Sequence, residues 1–281
     1  MKSRSALARP LDRRYPTNLA VLILAPASGL VFAGLALPQG LAALAVVETA
    51  LRGCLTAFGG WALAREIAPD DNPAAFVSMG LALLVALLVP SASVLLLLTA
   101  MMLARMVNRS VGIPATAFDS VAVTLLAGWA AYTTRSGAPL VAGAIAFGLD
   151  AMLPSPLRRQ WIFAPICLAG TLAVALFRDR TELAGIDAWL YLPVVTIALL
   201  YALSFLRTRH VRSVADLTGE RLITARVRAG MTIAWLMAVQ GPLVGDSALA
   251  QSSLIWAVLA GVSMMLLFHP AGSPGASSAG N

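Results

Sequence analysis

Glu48 and Arg52 stand four residues apart in a stretch that is otherwise apolar from Leu41 to Leu63. On a helix that spacing puts both side chains on one face, with the acid nearer the N-terminus, where the two can pair. A charge at the centre of a bilayer costs about 2.5–3.5 kcal/mol on insertion scales, so such residues usually face a bundle interior and mark a pathway. The pair therefore suggests a solute, proton or ion site, or a structural ion pair that locks two helices together. Leu55 and Gly59 share the same face, and Gly59-Gly60 would let a neighbouring helix approach closely.

A second set lies in the polar segments between apolar runs. Arg65, Glu66, Asp70 and Asp71 fall in one such segment, Arg105, Asn108 and Arg109 in the next, and Asp119 just inside the run that follows. Asp150 sits near the C-terminal end of its run, where the helix dipole disfavours a carboxylate. It should have a cationic partner, and Arg158 and Arg159 are nearest in sequence. Acids and arginines gathered at one membrane face could hold Mg²⁺ and a diphosphate headgroup; solvated loop ends would read the same way. His210 and His269 are isolated, and the chain shows no zinc spacing, nucleophile triad, P-loop or dinucleotide fingerprint. No catalytic residue, resident metal or cofactor is assigned. The aspartate signatures of intramembrane prenyltransferases are not met either. Asp70-Asp71 lacks further spaced aspartates, while Asp179, Glu182 and Asp187 fall on the opposite face.

The elements that must position these residues follow from composition. The 281 residues are 59% hydrophobic and only 12% charged, with a mean hydropathy of +0.83; ordinary globular domains carry about 25% charged residues. That excludes a soluble enzyme, a disordered protein and a coiled coil. Cys54 and Cys167 both lie in apolar runs, which excludes a disulfide scaffold. The chain is predicted to be all-α, a polytopic transmembrane helix bundle. Crossing a hydrocarbon core about 30 Å thick takes roughly 17–25 helical residues. Apolar runs at 18–37, 41–63, 73–89, 93–107, 114–134, 139–153, 161–177, 188–206, 229–245 and 251–268 predict about ten spans arranged as five hairpins.

The third and fourth runs need an argument, because Phe76 to Val107 is nearly free of charge. As one helix it would be about 48 Å long, too long for a straight span. Pro90-Ser91-Ala92-Ser93 are turn residues and divide it; one kinked helix is the alternative. Asn72 as cap with Pro73 at the first helical position opens the third run. A faint repeat places Leu63-Ala64-Arg65 and Leu103-Ala104-Arg105 about one hairpin apart.

The net charge of +7 does not indicate nucleic-acid binding, since no aromatic-interleaved soluble module surrounds the basic residues. Counted by face, 16 Lys and Arg fall on the side that holds both ends and 3 on the other. The positive-inside rule then makes both termini cytoplasmic, with a basic segment at 1–17 and a disordered Gly/Ser/Ala/Pro-rich tail at 269–281. The N-terminus does not read as a cleavable signal. A bacterial inner membrane is the expected home. In the 207–228 segment, Ser213 and Asp216 read as a capping box opening a short helix. Leu217, Leu222, Ile223 and Val227 would supply its apolar face, lying on anionic lipid headgroups. The ten-span layout with both ends inside is similar in outline to the drug/metabolite transporter superfamily, on span count alone. The leading expectation is a small-solute or ion permease with Glu48 and Arg52 lining the pathway. The alternatives are a membrane-embedded enzyme of lipid or isoprenoid metabolism acting at the cytoplasmic rim, and a non-catalytic assembly component.

Overall fold

The computed structural model describes residues 5–7, 11, 15–177 and 186–268. The tail expected to be disordered, most of the 1–17 segment, and Asp179 and Glu182 lie outside the described residues. Ten helices follow in chain order: α1 (Pro16–Ala36), α2 (Ala43–Ile67), α3 (Asn72–Leu88), α4 (Val94–Asn108), α5 (Ala117–Thr134), α6 (Ala138–Met152), α7 (Gln160–Phe177), α8 (Ala188–Arg207), α9 (Thr224–Val244) and α10 (Asp246–Phe268). A 3₁₀ turn, Leu37–Gln39, ends at Gly40 in the left-handed region and joins α1 to α2. Among the described residues there is no strand, only an isolated bridge between Val214 and Arg221. Six helices are long and apolar enough to cross a membrane, namely α1, α2, α7, α8, α9 and α10, while α3, α4 and α6 are shorter apolar helices. This is the architecture of a multi-pass helical membrane protein.

Local chemistry explains the boundaries. The Asp71 carboxylate accepts from the Ala74 amide and caps α3, one residue ahead of the expected Asn72. Ser93 caps α4 through the Leu96 amide, and Thr116 with Asp119 forms a reciprocal capping box on α5. The apolar stretch from Phe76 to Val107 is two helices, as its turn residues imply. However, α3 and α4 do not pack as a hairpin. α3 lies against α2 and α10, whereas α4 lies against α2, α9 and α6, and the two barely touch. α7 and α8 are likewise not packed as a pair; α7 rests on α6 and α5, and α8 mainly on α10. Of the five expected hairpins, α1–α2, α5–α6 and α9–α10 pack as pairs, and the adjacent helices α2–α3 and α6–α7 pack together as well.

α2, α4, α9 and α10 make the centre of the bundle, and α1 rests on α2. Inside a bilayer, helix association depends on close packing and polar contacts rather than on a hydrophobic drive. Small residues supply the closeness. A Cβ on Gly59 would stand 3.0 Å from the Leu97 side chain, and one on Gly60 3.1 Å from Ala82. The close approach expected at Gly59-Gly60 is therefore present. The α3–α4 turn is recessed on the side away from the N-terminal segment. The Ser93 amide donates to the Gln251 carbonyl, in the second turn of α10, so the α3–α4 turn lies about 7 Å below the start of α10.

Candidate functional site

Most of the polar side chains picked out by sequence converge at one end of the bundle. Glu66, at the end of α2, is 1% exposed and accepts from Arg105 Nε at 2.7 Å and from the Ser110 hydroxyl at 3.0 Å. Asn108 Nδ2 donates to the Glu66 carbonyl at 2.6 Å. Arg105 continues outward and donates to the Leu7 carbonyl of the N-terminal segment. Arg65 stays at the edge and bonds the Pro69 carbonyl and the Asn72 side chain, closing the α2–α3 turn. The proposed repeat thus places Arg65 and Arg105 at matching helix ends but in different roles.

Asp150 is the centre of a second cluster and is fully buried. Its partners are Arg109 at 2.8 Å and Arg226 at 2.7 Å, with Gln160 donating to the other oxygen at 3.1 Å. The expected cationic partner is present, but it is neither Arg158 nor Arg159. Those two arginines sit in the loop that follows α6, whereas α4 and α9 pack on α6 and bring Arg109 and Arg226 alongside. Arg226 also donates to the Val107 and Pro154 carbonyls. Gln160 in turn accepts from Ser120. Asp119 is 1% exposed and accepts from the Ser5 hydroxyl and the amides of Ala6 and Thr116. The N-terminal segment is therefore stitched to the rim at Asp119 and Arg105.

Glu48 and Arg52 are not part of this layer and do not pair. Arg52 turns to the recessed end of α3 and donates to the carbonyls of Ala86 (3.2 Å), Val89 (2.8 Å) and Pro90 (2.5 Å). Carbonyls at a helix end have no partner within the helix, and inside a membrane leaving them bare is costly. That demand outweighs an i, i+4 ion pair worth a few tenths of a kcal/mol. Glu48 is exposed on the outer face of α2.

The longest rim segment also differs from expectation. Residues 208–223 form no helix. Ser213 is taken by Asp70, which accepts from its amide (2.7 Å) and hydroxyl (2.6 Å) and from the Arg212 amide (2.9 Å). The segment then folds back through Gly219, which is left-handed at φ 66°, to the Val214–Arg221 bridge. α9 begins at Thr224, well before 229, and so includes Arg226 and Arg228.

Beside this latch, a cleft of about 240 Å³ opens between the α2–α3 turn, α8, α9 and α10. Its floor is apolar, formed by Ile67, Met231, Val262 and Met265. Its lip is polar, carrying Asp70, Asp71, Arg207, Thr208 and His210. Asn108 and Asp150 do not line it. Among the described residues, no group of three or more His, Cys, Asp or Glu is placed to hold a metal ion.

Sequence reasoning did not single out Arg226, Gln160 or Arg207 as individual site residues, because the two arginines were counted only as topology charges. Arg226 did carry one signal. It lies one helical turn before Gly230, whose face packs so closely on Asn108 that a Cβ would collide with it. No family model matches the chain, and no curated protein or solved structure is significantly similar to it. The geometry alone carries the functional argument.

Proposed function

We propose that this protein is a ten-span membrane protein with both termini cytoplasmic, and that it takes up an amphiphile in the rim cleft as part of lipid or isoprenoid handling. The carrying observation is the cleft itself. A polar lip above an apolar floor at a helix-bundle rim matches a molecule with a polar head and an apolar chain. The 16-to-3 asymmetry of basic residues supports the cytoplasmic side for this rim and suits the 207–228 segment to anionic headgroups. A bacterial inner membrane accords with that reading.

A permease lined by Glu48 and Arg52 has less support. The Arg52 guanidinium is engaged by three carbonyls, and Glu48 faces outward. One experiment separates the two. Protein purified in mild detergent should retain about one lipid per chain by native mass spectrometry, and Met265→Trp, which fills the floor of the cleft, should release it. Retention unchanged by Met265→Trp would refute the cleft reading. Proton or ion flux into proteoliposomes that Glu48→Gln abolishes would establish the permease instead.

A further inference from the structure

Resting on the cleft as an amphiphile site, we infer that its lip selects a zwitterionic phospholipid headgroup, with a phosphate against Arg207 and an ammonium against Asp71. The assignment comes from counting which polar groups remain available. Asp70 is the nearest carboxylate in sequence, but its two oxygens already accept three hydrogen bonds from Arg212 and Ser213. It therefore acts as a latch, not a receptor. Asp71 uses only Oδ1, to cap α3; among the described residues nothing donates to Oδ2. Arg207, at the C-terminal end of α8, is exposed and has no carboxylate partner among the described residues.

The lip thus presents one open carboxylate edge and one open guanidinium, carried on different walls of the same cleft. A purely anionic headgroup would satisfy Arg207 and meet Asp71 as a like charge. A purely cationic one would do the reverse. A headgroup with a phosphate nearer the chains and an ammonium at its tip satisfies both with charge-assisted hydrogen bonds. His210 on the lip adds a second donor for the phosphate. Below it, Met231 and Met265 offer unbranched, adaptable side chains to the first carbons of an acyl chain.

The test is competition on the full chain in detergent micelles, read by native mass spectrometry. Dioleoyl phosphatidylethanolamine and dioleoyl phosphatidylglycerol are offered in equal amounts. The wild type should retain the ethanolamine lipid in about tenfold preference, the size expected of one charge-assisted bond. Asp71→Asn is the decisive variant. Asn caps a helix about as well as Asp, so α3 is kept while the negative charge is removed; the preference should fall to near equality. Arg207→Gln should weaken both lipids together. Equal retention by the wild type, or a preference that survives Asp71→Asn, overturns the headgroup assignment. Displacement of the lipid by an equal concentration of free phosphoethanolamine overturns the lipid as ligand in favour of a soluble one. These outcomes are distinct from failure of the cleft reading, which Met265→Trp tests through total lipid retention whatever the headgroup.

Discussion

Asp150 is where removal of one atom group has the most calculable effect. Its carboxylate is fully buried and neutralises two guanidiniums, those of Arg109 and Arg226. Leucine at this position removes the charge and leaves both arginines behind. Their situations differ. Arg226, 1% exposed, keeps its bonds to the Val107 and Pro154 carbonyls but stays buried without a counter-charge. Both nitrogens that Arg109 commits to side chains bond Asp150 alone, and its side chain is 12% exposed, so it can turn toward water. Breaking a buried pair by removing one partner costs about 3–5 kcal/mol, because an uncompensated charge remains. Asp150→Leu should therefore cost about that much. Arg226→Met should be similar or somewhat milder, since Asp150 keeps Arg109 and Gln160. Arg109→Met should cost only about 1 kcal/mol, comparable to a partly screened pair. The assay is reversible unfolding in mixed micelles of rising SDS fraction, followed by tryptophan fluorescence. A value for Asp150→Leu below about 1 kcal/mol would refute the assignment of Asp150 as the shared counter-ion, and Arg109→Met costing as much as Arg226→Met would refute the ranking of the two arginines.

Two further outcomes follow from the same contacts. Arg52→Leu should destabilise by about 1–3 kcal/mol in that assay, because three carbonyls at and just past the end of α3 lose their donor, while Glu48→Gln stays within about 0.5 kcal/mol as an exposed substitution. Equal effects at the two positions would restore the ion pair that the geometry rejects. Hydrogen exchange should be faster in α8 than in α9 or α10, since few of its residues are buried against half or more of theirs; protection of α8 equal to that of α10 would contradict its peripheral place.

How much of this was legible beforehand depends on the range of the interaction concerned. Helix positions are set by local hydropathy and turn chemistry, so every apolar run became one helix and Pro90-Ser91-Ala92-Ser93 broke the long one. Which helices touch is not local. The expectation of five packed hairpins fails for α3–α4 because α3 finds α10, a partner distant in sequence. The same holds for side chains. Glu66, Asp119 and Asp150 stand out as rim acids, and Asp150 as one that needs a cation, yet beside the local Thr116 and Gln160 the groups that hold them come from 39 to 114 residues away. Nearness in sequence pointed to Arg158 and Arg159 instead. Two local rules were overruled by tertiary demands. The Glu48–Arg52 spacing lost to the bare carbonyls of α3, and the Ser213–Asp216 capping box lost to the Asp70 carboxylate, which had already claimed the serine.

The few charges of this chain therefore do two things that composition alone cannot separate. Some, such as Arg207, Arg209 and Arg221, stand exposed at the rim. Six others, Glu66, Arg105, Asp119, Asp150, Arg109 and Arg226, form a neutral layer of three acids and three arginines that ties together the rim ends of α2, α4, α5, α6 and α9. α8 takes no part in that layer. It packs mainly on α10, and its polar ties are to α9, the Tyr201 hydroxyl on the Met231 carbonyl (3.1 Å) and Arg228 over the Phe205 ring (4.3 Å). A rim locked on five helices and lightly fastened on one concentrates its compliance at the seam beside α8. The cleft lies at that seam, with Arg207 on the light wall and Asp71 on the locked one. A headgroup that joins the two charges would do for α8 what Asp150 does for α9, supplying the counter-charge that fastens the helix to the rim.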